Sequence, residues 1–345
     1  MARARPDKSL ARFERVALVL SGGGALGAYQ AGAYAALERN GIRPNWIAGS
    51  GIGAANAIII AGNLPHLRIS HLRRFWQQLS EHAARRRWEL GGWVRRTLGH
   101  DRSAGSHAPG LPPKSAKPFI STADLRELIN EAADFGRVNS GAVRVVLGAV
   151  NRATGAETFF DNDRHVLGLD HVLAGIPMPG LPPVAIDGQV FGGSAVSVSA
   201  LDDARPADTL CFAIDGYDPP GSAGGISRSA REIAAMRRTH DLRRMIALLG
   251  EHVPQRMRGE ADLRRCLAEA SEATMTILHL VHEGNAAGLA AKMADYSADR
   301  LTARWNAGES DVAASLSHPR WLAPPSRLSG VVVHEVRDGV VAPQR

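Results

Sequence analysis

Short apolar runs alternate with helix-like segments in the first part of the chain. Val16–Leu20 and Trp46–Ala48 are two such runs, and a glycine-rich turn follows each of them. Each turn leads into a segment of helical composition, Ala25–Asn40 after the first and Ile52–Gly62 after the second. An apolar run, a glycine turn and a helix form a βα unit. Two such units in succession predict a parallel sheet with helices packed on it.

Further apolar runs extend this pattern towards the C-terminus. Val143–Val150 is almost continuously apolar, which is typical of a parallel strand buried on both faces. Thr209–Ile214 is expected to be the last core strand of this α/β region. Beyond it the spacing predicts three helices and two short strands, at Ile226–Leu249, Ala261–Met275, Thr276–His282, Asp299–Ala307 and Val331–His334.

The pattern divides the 345 residues into three regions. Residues 1–14 predict a flexible tail, residues 15–216 an α/β domain, and residues 217–345 a helical C-terminal extension. Residues 65–118 interrupt the α/β pattern as an insertion. Its part His100–Pro118 is rich in glycine, serine and proline, so we expect a mobile loop there, of the kind that can serve as a lid.

Cysteine content and apolar stretches bear on the location of the protein. Cys211 and Cys266 are the only cysteines and have no neighbour at metal or redox spacing, which indicates buried thiols in a reducing compartment. Met1–Arg15 lacks the apolar centre of a secretory signal. Ile47–Leu64 contains four glycines and two asparagines, which favours a buried helix over a membrane span. We therefore expect a cytoplasmic protein.

Positive charge is concentrated in two segments of a chain whose formal net charge is +7. Arginines cluster in 85–96, where Trp88 and Trp93 lie among them, and in 228–244. A basic helix that carries tryptophans can sit peripherally on an anionic membrane, and a basic surface also suits an acidic protein. Ordinary solvated helix faces, with tryptophans such as Trp76 in the core, are the alternative. The chain has no zinc-finger spacing and no RNA-binding signature, so a nucleic acid is not expected as a partner.

The two glycine turns together resemble those of a known family. Ser21–Gly27 contains the run Gly22-Gly23-Gly24, and Gly49–Gly53 is similar to a G-x-S-x-G turn. This pair resembles the patatin-like phospholipases, which are serine acyl hydrolases with a three-layer α/β/α fold. The resemblance implies that backbone N–H groups of the first loop form an oxyanion hole and that the second turn carries the nucleophile. The segments Trp305–Gly308 and His318–Leu322 resemble a C-terminal extension found in one bacterial branch.

The residue expected as the nucleophile is missing from the second turn. In G-x-S-x-G the serine is the third residue, which is Gly51 here, and Ser50 precedes it. The elbow needs small residues two positions before and two positions after its apex. Gly49 and Gly53 satisfy this requirement around Gly51, whereas Ile52 violates it around Ser50. The pattern therefore marks Gly51 as the apex of the elbow, with Ser50 as a weak substitute nucleophile.

The aspartate of the family's Ser–Asp dyad is also missing. The resemblance implies an Asp-Gly-Gly/Ala motif after a hairpin, and here the corresponding residues are Gly192-Gly193-Ser194. Gly192 therefore takes the aspartate position. Asp187 lies nearby, but Asp-Gly between two apolar runs is the usual two-residue hairpin turn. We interpret Asp187 as a turn residue and keep it only as a weak substitute base.

Two hypotheses about function follow from these departures. The first is a family member without catalysis that binds a lipid, an acyl ester or a protein partner, because both dyad positions are glycine. The second is an active lipid acyl hydrolase that uses a substitute nucleophile such as Ser50. Neither hypothesis requires a cofactor or a metal ion.

Overall fold

The computed structural model describes residues 8–97, 120–176, 182–194, 198–201, 206–217, 228–283, 289–317, 319–323, 325–337 and 340–343. The strands are β1 Arg15–Leu20, β2 Trp46–Ser50, β3 Arg144–Asn151, β4 Glu157–Asp161, β5 Val184–Ile186, β6 Gln189–Ser194, β7 Thr209–Tyr217, β8 Met275–Glu283, β9 Val331–Arg337 and β10 Val340–Pro343. The α-helices are α1 Gly27–Arg39, α2 Ile52–Ala61, α3 Arg68–Thr97, α4 Thr122–Ala132, α5 Phe135–Val138, α6 Leu169–Ala174, α7 Arg228–Glu251, α8 Ala261–Ala268, α9 Leu289–Ala294 and α10 Ala298–Ser317.

One sheet of ten strands runs through the described part of the chain. Its order is β10-β9-β8-β7-β1-β2-β3-β6-β5, and β4 pairs with β3. The six strands from β9 to β3 are parallel to one another, whereas the pairs at both edges are antiparallel. The mainly parallel sheet predicted from the two βα units is therefore confirmed.

Helices cover both faces of the sheet. Leu18 and Leu20 of β1 belong to the cluster that includes α1, α2 and α10, whereas Ala17 and Val19 pack with Ile233 of α7 on the opposite face. Successive strand residues point to opposite faces, so this alternation shows that β1 is buried on both sides. The predicted three-layer α/β/α architecture is confirmed.

The C-terminal region contains the helices and the two strands that its sequence predicts, together with the further strand β10. Its strands β8, β9 and β10 join the same sheet, and β8 lies between β7 and β9 in parallel register. The apolar run of β8 suits this position, because such a run is best buried inside a parallel sheet. At the other end, Lys8–Arg12 forms a short 3₁₀ helix and Phe13 is buried, so the structured part of the chain begins before the predicted boundary at residue 15.

Three other expectations have different outcomes, and one of them is not tested. Cys211 is buried as predicted, but Cys266 is exposed, because it lies on α8, which has no buried residue. Trp76 is buried and its Nε1 donates to Asn56 Oδ1 at 3.0 Å, whereas the side chains of Trp88 and Trp93 lie outside the described residues. The segment His100–Pro118 also lies outside them. None of the helices in the described ranges is long and apolar enough to cross a membrane.

Helices α1 and α10 approach each other closely through glycines. A Cβ atom at Gly32 would lie 2.0 Å from the carbonyl oxygen of Trp305, and one at Gly308 would lie 2.1 Å from that of Tyr29. The hydroxyl of Tyr29 also donates to Asp311 Oδ2 at 2.7 Å. The C-terminal region is therefore attached to the first βα unit by direct helix–helix packing.

Replacing the glycine of α1 is expected to disturb this contact. Gly32→Ala should lower the free energy of unfolding by about 1–3 kcal/mol, because the two helices must move apart to admit the methyl group. Urea unfolding measures the change. Gly259→Ala is the matched control, since a Cβ there meets no atom within 4 Å among the described residues. A Gly32→Ala protein as stable as this control would contradict the close packing.

Candidate functional site

The order of the strands locates a crevice at their carboxyl ends. From β1 the chain proceeds outward to β2 and β3 on one side and to β7, β8 and β9 on the other. In open α/β sheets, ligands bind where the strand order reverses in this way. The first glycine run follows β1, the second glycine turn lies at the carboxyl end of β2, and Asp215 lies near the carboxyl end of β7.

The second turn has the backbone of a sharp strand-to-helix elbow. Gly51 separates β2 from α2 and has φ 57° and ψ −137°, a conformation that residues with a side chain rarely adopt. Gly49 and Gly53 make close backbone contacts. A Cβ at Gly49 would lie 2.6 Å from the carbonyl oxygen of Gly53, and one at Gly53 would lie 2.2 Å from that of Leu20. All three glycines are thus required by the local geometry.

The first glycine run lies directly against this elbow. A Cβ at Gly51 would be 3.0 Å from the Cα of Gly22, so the two turns are in contact. Gly23 and Gly24 have φ values of 146° and 56° at the entry to a short 3₁₀ helix that precedes α1. Helix α9 covers this run, because a Cβ at Gly24 would lie only 2.4 Å from the carbonyl oxygen of Met293.

Two serine hydroxyls meet beside the elbow. Ser50 Oγ and Ser194 Oγ are 2.6 Å apart, and Ser50 is buried. Ser194 Oγ also lies 3.4 Å from the position that a Cβ at Gly51 would occupy. Ser194, at the end of β6, therefore faces the elbow apex directly, and our sequence reasoning did not single it out.

A side chain at position 192 would point away from the elbow. The three atoms nearest to a Cβ at Gly192 belong to Arg152 and Pro183, at 3.4–3.8 Å. In a regular strand, residues two apart share a face, so Gly192 and Ser194 would face the same way. Strand β6 is irregular between them. Its pairing with β3 shifts register, and Gly193 has φ 134°. A glycine inside a predicted strand often marks such a bulge. The glycines of β6 were therefore the sequence signal that could have indicated the bulge.

The structure explains the residue types at positions 187 and 175. Asp187 has φ 49° and forms the hairpin turn between β5 and β6 together with Gly188, where it is exposed. Gly175 follows α6, and a Cβ there would lie 2.6 Å from the carbonyl oxygen of Gly148 and 3.4 Å from the nitrogen of Gly51. The chain after α6 therefore packs against the elbow and leaves no room for a larger residue at 175.

A buried carboxylate lies at the carboxyl end of β7. Asp215 Oδ2 accepts hydrogen bonds from Ser229 Oγ at 2.8 Å and pairs with His279 Nε2 at 2.7 Å. Burial by itself raises the pKa of Asp215, but the hydrogen bond and charge of His279, together with the hydroxyls of Ser229 and Ser21, hold that pKa below its ordinary value. The carboxylate is therefore ionised at neutral pH.

This carboxylate joins the C-terminal region to the first glycine run. Ser229 lies on α7 and His279 on β8, whereas Ser21 begins the loop after β1. A cavity of about 20 Å³ adjoins the cluster and is lined in part by Val19 and Glu232. This volume admits a single water molecule. Nothing in the local sequence of His279 indicates this contact, because Asp215 lies 64 residues away along the chain.

The described residues contain no group of three or more His, Cys, Asp or Glu side chains arranged to hold a metal ion.

Comparison with solved structures gives distant similarities. The chain is 13% identical to VipD from Legionella pneumophila, with a TM-score of 0.28, over 85% of this chain and 67% of that one. It is 18% identical to ExoU from Pseudomonas aeruginosa, solved in complex with SpcU, with a TM-score of 0.29, over 59% of this chain and 44% of that one. No curated protein matches the sequence.

Family models give a clear assignment. Residues 226–328 match a model described as "Patatin phospholipase". Residues 18–216 match a model described as "Patatin-like phospholipase", which covers more than half of the chain and includes both glycine turns. The chain therefore belongs to the patatin-like phospholipase family.

Proposed function

We propose that this protein has lost the acyl-transfer chemistry of its family and binds a lipid or an acyl ester at the two glycine turns. The observation that carries the proposal is Gly51, the apex of the elbow, which has no side chain. Covalent acyl transfer requires a nucleophilic oxygen at that apex. In this proposal, backbone N–H groups of Gly22, Gly23 and Gly24 keep a binding role for an ester oxygen or a phosphate.

Ser50 is a poor substitute for the missing nucleophile. It is buried, and its hydroxyl is hydrogen-bonded to that of Ser194. Within the described residues, no carboxylate or imidazole is hydrogen-bonded to either hydroxyl. A serine without an adjacent base is not activated for attack. This pair therefore supports the proposal of lost catalysis over the alternative of an active hydrolase that uses Ser50.

The other acidic groups near the crevice do not supply the missing chemistry in our proposal. Asp187 is exposed in a hairpin turn, and its positive φ is explained by that turn. Asp215 is paired with His279 beside a cavity of about 20 Å³. Such a cavity is too small for an acyl chain. We assign Asp215 the role of attaching α7 and β8 to the α/β core.

We include the location and the partners of the protein in the same proposal. Patatin-like phospholipases act on lipids, so an acyl lipid is the ligand class that this fold favours. Cys211 and Cys266 are both free cysteines, which suits a reducing, cytoplasmic location. A protein partner remains part of the hypothesis for a family member without catalysis.

A serine-directed fluorophosphonate probe tests the loss of catalysis. We expect no labelling of the wild-type protein and no hydrolysis of short- or long-chain p-nitrophenyl esters above background, because the elbow apex carries no oxygen. Mass spectrometry of the treated protein locates any adduct, and Ser50→Ala is the matched control. Labelling that disappears in Ser50→Ala, together with ester turnover, would establish the active-hydrolase alternative instead.

A further inference from the structure

Helix α7 presents large apolar side chains to solvent. Leu242, Met245 and Leu249 are 57%, 48% and 62% exposed. They are spaced three and four residues apart, so they form one row on the helix surface. Ile233 and Met236 lie nine residues before Leu242 and Met245, a spacing that places them on the opposite face of the helix. Both are buried against the sheet. The first half of α7 is therefore buried against the sheet through apolar side chains, and its second half exposes apolar side chains on the opposite face.

Arginines extend this row towards the start of the helix. Arg231 and Arg238 are exposed, follow the same helical spacing, and form no ion pair within the described residues. We define the α7 stripe as the exposed residues that share this face, namely Arg231, Ala235, Arg238, Leu242, Met245, Leu249 and His252. The stripe contains no acidic residue. At a rise of about 1.5 Å per residue, it extends over roughly 30 Å.

A row of exposed leucine and methionine side chains indicates a surface that is covered in use. The charges on the stripe identify what covers it. Arginines beside apolar side chains match a surface with negative charge above a hydrocarbon layer, where guanidinium groups meet phosphates and apolar side chains enter the headgroup region. The formal net charge of +7 adds a long-range attraction of the same sign.

A second copy of the chain fits the stripe less well. A symmetric dimer brings together two identical surfaces, and the charged side chains of both stripes would be arginines. These arginines would lose water without gaining an acidic partner, which is unfavourable. The net charge of each copy would oppose the association further.

We infer that the α7 stripe docks this protein on an anionic membrane surface. Leu242, Met245 and Leu249 insert at the level of the headgroups, and Arg231 and Arg238 bind lipid phosphates. The inference concerns a face of the C-terminal region and does not depend on whether the elbow is catalytic. It deepens the proposed lipid binding by naming the surface on which the lipid is presented.

Vesicle co-sedimentation tests the inference. The wild-type protein should bind vesicles of phosphatidylcholine with one quarter phosphatidylglycerol and should bind pure phosphatidylcholine weakly. Raising the salt concentration should weaken the binding, because salt screens the attraction. Arg231→Gln/Arg238→Gln should reduce the affinity about 25-fold, since each arginine contributes roughly a fivefold factor. Leu242→Gln/Leu249→Gln should reduce it at least about tenfold.

Two matched controls remove the same groups elsewhere. Arg74→Gln/Arg300→Gln removes two exposed arginines from α3 and α10, and Val166→Gln/Leu328→Gln removes two exposed apolar side chains. Both should bind within about twofold of the wild type, and circular dichroism checks the folding of every variant.

Three outcomes would overturn the inference. The wild type could fail to bind anionic vesicles, or the stripe variants could bind as well as the controls. A wild-type dimer that the leucine variant converts to monomers, without any vesicle binding, would identify a second copy as the occupant. Loss of vesicle binding in the stripe variants supports the inference whatever the fluorophosphonate result, so the two proposals fail separately.

Discussion

The double variant Gly51→Ser/Ser194→Asp is expected to hydrolyse p-nitrophenyl esters at least about a hundredfold faster than the wild-type protein. Loss of a catalytic serine costs several orders of magnitude, and a restored pair recovers part of that loss. The position of a Cβ at residue 51 is 3.4 Å from Ser194 Oγ, so a carboxylate at 194 lies within reach of a hydroxyl at 51. The backbone at Gly51 already has the bend of an elbow.

The matched comparison is Gly51→Ser/Gly192→Asp. The family's motif places the aspartate at 192, but an added Cβ there meets Arg152 and Pro183. We therefore expect this variant to stay near the wild-type rate. If Gly51→Ser/Gly192→Asp were the faster variant, position 192 and not position 194 would be the place of the base. The proposed loss of catalysis in the wild type would still hold. Turnover by the wild type at a comparable rate would instead contradict the proposed function.

Folding must be measured alongside the kinetics of both variants. A side chain at φ 57° costs about 1–3 kcal/mol, and a Cβ at 51 lies only 3.0 Å from the Cα of Gly22. Gly51→Ser alone supplies the reference, because it carries the same strain without a base. An increase in the hydrolysis rate that Gly51→Ser/Ser194→Asp shows and Gly51→Ser alone does not is assigned to the carboxylate at 194.

The variant Asp215→Asn is expected to lower the free energy of unfolding by about 3–5 kcal/mol. Replacing the buried carboxylate by a neutral amide removes hydrogen bonds that its charge strengthens and leaves buried polar groups imperfectly paired, which is strongly destabilising. His279 is buried beside this carboxylate, and Ser229 would lose a charged acceptor. Urea unfolding at pH 7 measures the effect. Asp262→Asn is the control, since its pair with Arg265 is exposed and contributes about 1 kcal/mol or less.

The pH dependence of this stabilisation follows from the direction of the pKa shift. The pKa of Asp215 in the folded protein is below the ordinary value of 3.8. Its contribution is therefore fully present above pH 3.8 and is lost as the pH falls through the lowered folded-state pKa. The difference in stability between wild type and Asp215→Asn should stay constant from pH 7 to about pH 4 and shrink below that. A difference that shrinks already above pH 5 would contradict an ionised, stabilised carboxylate.

Local sequence signals predicted most of the α/β core. The apolar runs of β1 and β2, each followed by a glycine turn and a helix, predicted two βα units, and the structure contains both. Such signals are reliable because a buried parallel strand needs a continuous apolar run. Of the C-terminal strands, β8 and β9 were predicted as short runs and β10 was not. Their membership of the same sheet was not predicted, since pairing between distant segments leaves no local pattern.

The site was predictable only where glycine itself carries the information. The spacing of Gly49, Gly51 and Gly53 marked a sharp turn, and the backbone contacts of Gly49 and Gly53 show why larger residues do not fit. The residue facing the turn from β6 was not predictable by counting along a motif. The bulge at Gly193 changes which side chain faces the elbow, so Ser194 lies there and Gly192 does not.

By itself, the sequence determined the order of the elements, the parallel sheet, the family resemblance and the absence of a side chain at residue 51. These properties depend on residue type and on periodicity over a few residues, which the chain carries locally. Only the tertiary structure decided that Asp215 pairs with His279, 64 residues away, and that Leu242, Met245 and Leu249 face solvent. Both depend on which surfaces of distant segments meet, and an apolar helical pattern does not tell which of its two faces the sheet will bury.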